Sequence, residues 1–165
     1  MNKIEKIINE MYGDIGVKQG SHRHMQIVDE YNQIVPLPSG YKVKYTDSWC
    51  MTYISYLLHK NNIVCNYECS VQRFFEKNKK CVLKKYSIGD IIVYDWQDNN
   101  WLDHVGIIVD IDNQKDRTIL KVIEGNYNKQ VAVRNIYDDS KYIKGYISIS
   151  KMIKGDTDKK VKTEK

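Results

Sequence analysis

The chain has 165 residues, 42% of them hydrophobic and 28% charged, which suits one domain with a hydrophobic core. The net charge is +5, but 151–165 alone holds six lysines against Asp156, Asp158 and Glu164, so the remainder is nearly balanced and a basic nucleic-acid face is not supported. No apolar run approaches the roughly 20 residues of a membrane span. The N-terminus carries Glu5 early and lacks an apolar core followed by a cleavage site. No signal peptide is read there, and synthesis in a cytoplasm is expected.

Ile4, Ile7, Ile8 and Met11 give the i, i+3, i+4, i+7 stripe of an amphipathic helix over 3–12, which Gly13 and Gly16 end. Ser21 caps a second helix with Met25, Val28 and Tyr31 on its inner side. His22 and His24 point to different sides of it and read as surface residues. The segment 36–40, with two prolines and a glycine, forces a loop. Asp47 or Ser48 then caps a helix that runs to about His59–Asn62, with Cys50, Ile54, Leu57 and Leu58 on one apolar face. Cys50 falls in its first turn, where the helix dipole favours a thiolate. Free cysteine is also among the most buried residue types, so a structural thiol competes with a reactive one. No second pair completes a zinc site with Cys65 and Cys69, and a disulfide framework is not expected without secretion.

Ser70 caps a further helix carrying Val71, Phe74 and Phe75. After Lys85 the period becomes extended, and about five strands follow, at 91–94, 104–111, 118–124, 131–134 and 143–149. Helices first and an antiparallel sheet second predict an α+β fold. A hairpin turning near 114–115 sets His104 opposite about residue 125, between Glu124 and Asn126. Those two share a strand face, and a one-residue shift puts either across from His104. A cysteine at a helix start, a histidine and an orienting acid or amide are the parts of a thiol acyl-transfer site. The Cys50 amide is a natural oxyanion donor, with Tyr45 a candidate for the second.

Five blocks in order resemble the motifs of CHAP domains, the cysteine, histidine-dependent amidohydrolases/peptidases. They are Asp47-Ser48-Trp49-Cys50 with Tyr53-Ile54-Ser55; Gly89-Asp90-Ile91-Ile92-Val93-Tyr94-Asp95-Trp96; Asp103-His104-Val105-Gly106-Ile107-Ile108; Ile123-Glu124-Gly125-Asn126; and Lys144-Gly145-Tyr146. Met51, Tyr53 and Tyr56 depart from the family pattern but keep bulk. The resemblance implies a papain-like, NlpC/P60-related fold, N-terminal helices packed on the sheet, and cleavage of an amide bond in bacterial peptidoglycan. The enzyme is then an N-acetylmuramoyl-L-alanine amidase or an endopeptidase of the stem or cross-bridge. Carried over by position, Cys50 is the nucleophile, His104 the base, and Glu124 and Asn126 the orienting or polarising pair. Trp49 and Trp101 are the aromatic candidates for substrate contact. The loop 95–103 partly resembles a calcium loop, but Gln97 stands where an acidic or Asn ligand is expected, so no metal or other cofactor is assigned.

The resulting expectation is a single catalytic domain over 1–150 and a lysine-rich, disordered tail over 151–165. A monomer of phage, prophage or mobile-element type is expected. It is made in the bacterial host cytoplasm and acts at the cell wall, released by a holin or carried in a virion tail. The alternative is a non-catalytic wall-binding or virion structural module that retains the fold.

Overall fold

The computed structural model describes residues 1–164, with side chains through Lys159. Helix α1, Lys3–Asp14, starts at Asn2, whose side-chain oxygen accepts from the Glu5 amide at 2.8 Å, and it buries Ile7 and Met11. Helix α2, His22–Tyr31, is capped by the Ser21 hydroxyl as expected. Its inner face carries Ile27, Val28 and Tyr31, and also His24, which is fully buried rather than on the surface. His24 Nδ1 accepts from the Gly20 amide at 3.0 Å, and its ring meets Trp49 edge-on with centroids 4.7 Å apart. Burial pushes its pKa down, so the ring packs as a neutral aromatic.

The central helix is α3, Cys50–Lys60. Arg23 ties the first two helices to it, donating to Asp14 at 3.0 Å, to Glu10 at 2.9 Å and to Tyr56 Oη at 3.1 Å. One apolar face was expected, but every residue from Cys50 to Leu58 is buried. The reason is position: α2 packs against α3 on one side and the sheet on the other. The polar Ser55 is accommodated because its hydroxyl donates to the Glu68 carbonyl at 2.6 Å. Helix α4, Val71–Lys77, is capped by Ser70 and buries Val71 and Phe74. Glu68, just before it, is fully buried and is neutralised by Lys77 and Arg73.

Six strands follow: β1 Val82–Leu83, β2 Ile91–Tyr94, β3 His104–Asn113, β4 Thr118–Tyr127, β5 Gln130–Tyr137 and β6 Ile143–Ile147. They form one antiparallel sheet in the order β1-β6-β2-β3-β4-β5. The strand beyond the expected five is β1, a two-residue edge too short to show alternation. Ile91, Val93, Val105, Ile107 and Ile123 join the helical core, while Ile92, Tyr94, Ile108, Leu120 and Val122 form a second cluster on the other face. Burial on both faces explains why β2 is an unbroken apolar run. The architecture is α+β and papain-like, as expected.

The lysine-rich stretch after 150 departs from the expected disorder. It continues as helix α5, Ile149–Glu164. The Ser148 hydroxyl accepts from the Lys151 amide at 3.0 Å, and Ile149 and Met152 are buried against the core. Two apolar residues three apart dock the first turn, which charge counting overlooked. Position 165 of the expected tail lies outside the described residues.

Candidate active site

The site begins with how α3 starts. Its N-cap is Trp49, with no side-chain cap. Neither expected cap serves: the Asp47 carboxylate accepts from the Lys44 amide at 2.8 Å and from the Tyr41 hydroxyl at 2.7 Å. Ser48 Oγ lies 3.9 Å from Cys50 Sγ instead. The first backbone bond into the helix is donated by Tyr53, to Trp49. The amides of the first turn are therefore uncapped where the thiol sits, and they add positive potential there. Cys50 itself is only 3% exposed.

Trp49 anchors this start. Its ring is fully buried between His24 and Tyr53, and its Nε1 donates to Gln19 at 3.1 Å. It is thus a packing residue that aims Cys50, not the substrate contact proposed from the sequence. A bulky aromatic beside a cysteine reads the same either way in one dimension.

Two bulges in the sheet arrange the partners. The turn after β3 spans 114–117, with Asn113 paired to Thr118, and a bulge at Val109 shifts the ladder before Ile107 meets Ile123. Continuing that register, Gly106 faces Glu124 and His104 faces Asn126, one residue from the expected pairing. The fully buried Glu124 then reaches diagonally to His104, with Oε1 2.9 Å from Nε2. Gly106 leaves the room for this. A Cβ there would stand 2.5 Å from Val122 Cγ1, 2.7 Å from Glu124 Cγ and 2.9 Å from the Ile123 carbonyl. Gly106→Ala is expected to cost about 1–3 kcal/mol, because the last of these contacts is backbone and cannot swing away. A thermal melt should register a fall of roughly 2–12 °C. A wild-type melting temperature in that variant would show that Gly106 is not needed for this close packing.

The second bulge, between Glu124 and Tyr127, carries Asn126 at φ +55° out of the ladder. Its Nδ2 donates to Ser48 Oγ at 3.2 Å rather than to His104. The bulge also seats Gly125 on α3, where a Cβ would be 2.9 Å from the Tyr53 ring. Glu124 and Asn126 were expected as an orienting or polarising pair, either one across from His104. The structure divides them, Glu124 to His104 and Asn126 to the serine beside the thiol.

His104 stands at the first position of β3, and Cys50 Sγ lies 4.0 Å from the carbonyl of the preceding residue, Asp103. With Nε2 on Glu124, Nδ1 is the nitrogen left for Cys50. Burial opposes a charge on His104, but the hydrogen bonds to Cys50 and then Glu124, and the charges of both, hold its pKa up at about 10. Cys65 contrasts with this pair: burial, and then the charge of Cys81, push its thiol up to about 12.

Arg134 completes the row and was not singled out from the sequence. Its Nε donates to both oxygens of Glu124, each at 3.0 Å. The signal was available, since β5 pairs Ala132 with Glu124 and residues two apart share a face. The groove above has a volume of about 380 Å³, and Ser48, Trp96, His104, Asn126, Tyr127 and Arg134 all line it. Trp96, not Trp101, is the tryptophan of this lining. Trp101 is 52% exposed and sits elsewhere on the loop. Tyr45 is likewise turned away, its hydroxyl donating to Asp29 at 2.6 Å.

Asp95 and Asp103 cap their own loop. Asp95 accepts from the amides of Asn99 and Asn100, and Asp103 from those of Trp96 and Gln97. Among the described residues no group of three or more His, Cys, Asp or Glu converges as a metal site. Among the described residues no helix is long and apolar enough to cross a membrane.

A comparison with family models matches residues 40–126, more than half of the chain, to the family described as CHAP domain. The matched segment includes Cys50, His104, Glu124 and Asn126 and ends before Arg134. No curated protein and no solved structure gives a match.

Proposed function

The chain belongs to the CHAP domain family, whose activity is peptidoglycan hydrolysis as amidase or peptidase, and we propose on that footing that it cleaves a peptidoglycan amide bond through a Cys50 thioester. The observation that carries this reading is the grouping of Cys50, His104 and buried Glu124 at an uncapped helix start, with His104 Nε2 2.9 Å from Glu124.

Cys50 Sγ, having given its proton to His104, attacks the amide carbonyl carbon. The Cys50 backbone amide donates to the oxyanion that forms. The intermediate collapses with loss of the amine, which takes the proton from His104, and the acyl group remains on sulfur. Water then attacks the thioester, His104 accepts the water proton, and the carboxylic acid departs as the sulfur is released. Glu124 holds Nε2–H throughout, which keeps Nδ1 directed at sulfur. Ser48 and Asn126 bound the thiol on its groove side. Both amidase and endopeptidase bonds are served by these steps.

The direct test is digestion of purified peptidoglycan followed by mass spectrometry of the soluble fragments. New termini between muramic acid and L-alanine identify an amidase, and new termini within peptide identify an endopeptidase. Silence on several wall types would favour the wall-binding alternative. The pH profile adds an independent mark. The imidazolium of the Cys50–His104 pair is held up to a pKa of about 10, so activity should persist into alkaline buffer and fall as pH passes that value. An alkaline limb near the ordinary histidine value would show that Cys50 and Glu124 do not hold the imidazolium charged.

A further inference from the structure

We infer that Arg134 is a specificity residue of this groove, its outer guanidinium edge receiving a free carboxylate of the substrate. This rests on reading the groove as a site for peptidoglycan peptides. It names which of those peptides are preferred: those whose carboxyl groups beside the cut bond are free rather than amidated.

Three observations carry it. The guanidinium uses only Nε on the protein, for the two oxygens of Glu124. Nη1 and Nη2 have no protein acceptor among the described residues, although the side chain lines the groove and is 22% exposed. The plane is also fixed in advance. Its carbon lies 4.3 Å from the centroid of Tyr127, 4.5 Å from Trp96 and 5.7 Å from Tyr94. A guanidinium held by three rings and one carboxylate loses little freedom on binding, and its paired N–H groups match the two oxygens of a carboxylate. A carboxamide offers one acceptor oxygen and an NH₂ that opposes the fork.

The acidic side chain in the same lining does not cancel this. The Asp103 carboxylate is turned onto the amides of Trp96 and Gln97, at 3.0 and 3.1 Å. Glu124 is wholly buried and lies between Arg134 and His104, so a ligand meets the cationic edge and not the anion behind it.

The test uses Cys50→Ala protein, which binds without cutting, and synthetic stem peptides in matched pairs. In each pair either the D-Glu α-carboxyl or the C-terminal carboxyl is free in one member and amidated in the other. Calorimetry should show one free acid bound about 10–100-fold more tightly than its amide. Adding Arg134→Gln should bring that ratio close to one. Arg134→Lys, which keeps the charge without the fork, serves if the glutamine variant does not fold, and should lower the ratio about tenfold. Equal affinity within both pairs, or a ratio that survives loss of Arg134, overturns the inference. If Arg134 only holds Glu124 in place, its loss slows turnover of acid and amide equally and leaves the binding ratio untouched. Selective binding with no cleavage by wild type would instead sink the hydrolase reading and leave Arg134 standing.

Discussion

Cys50→Ala should eliminate release of peptidoglycan fragments, a loss of roughly 10⁵–10⁶-fold, while peptide binding and the melting temperature stay close to wild type. The size follows from chemistry. Without the sulfur there is no acyl-enzyme, and water must attack an unactivated amide directly. The fold should tolerate the change because, apart from His104, the thiol's polar contacts are long, 3.9 Å to Ser48 Oγ and 4.0 Å to the Asp103 carbonyl. His104→Ala belongs to the same experiment. It keeps the thiol but removes the group that takes its proton and delivers it to the amine, so a comparable collapse is expected. A thiol alkylator should inactivate wild type, and it should modify Cys50, which has His104 as its base, before the half-buried Cys65, whose thiol is pushed up to about 12. Appreciable turnover by Cys50→Ala would mean that the row of side chains is not the hydrolytic machinery.

What the sequence disclosed, and what it withheld, follow from how local each feature is. Helix starts at Ser21 and Ser70 and the apolar stripe of α1 are set within a few residues, and they were read correctly. The strands of the long hairpin were likewise plain as extended, largely apolar runs, and Cys50, His104 and Glu124 were singled out there as one candidate constellation. The bulges at Val109 and after Glu124 were not, because one extra residue leaves no mark in an unbroken apolar run. They decide that Glu124 takes the histidine and Asn126 the serine. Burial of Trp49 and His24 was hidden for a different reason. Each is polar enough to sit outside, and only the packing of α2 on α3 places them in one aromatic cluster. The loop 95–103 shows the converse case. Its carboxylates resemble metal ligands in sequence, yet folding spends those of Asp95 and Asp103 on neighbouring amides.

Glu124→Ala should be the most damaging single change to stability and activity together. The carboxylate is fully buried and holds two cations, His104 and Arg134, at 2.9 and 3.0 Å. Removing one partner of such a group leaves the others short of a counter-charge, which typically costs 3–5 kcal/mol. Arg134 keeps some contact with water, its side chain being 22% exposed, so the lower end applies, about 3 kcal/mol. For a chain of 165 residues that corresponds to a melting temperature roughly 6–12 °C lower. Turnover should fall by at least about 10²-fold, since His104 loses the acceptor that fixes its tautomer. The pH dependence distinguishes this from a general loosening. In wild type the folded His104 pKa is raised from 6.5 to about 10, so its stabilising contribution is complete below 6.5 and disappears as pH rises through 10. Without Glu124 one of the two hydrogen bonds that raise this pKa is gone. The alkaline limb of activity should move to lower pH, and the fall in melting temperature between neutral and alkaline buffer should shrink. Glu124→Gln, which keeps an acceptor oxygen without the charge, should recover part of the stability and leave the limb displaced. If the limb of Glu124→Ala stays near 10, the carboxylate does not control the histidine and its role is confined to packing against Arg134.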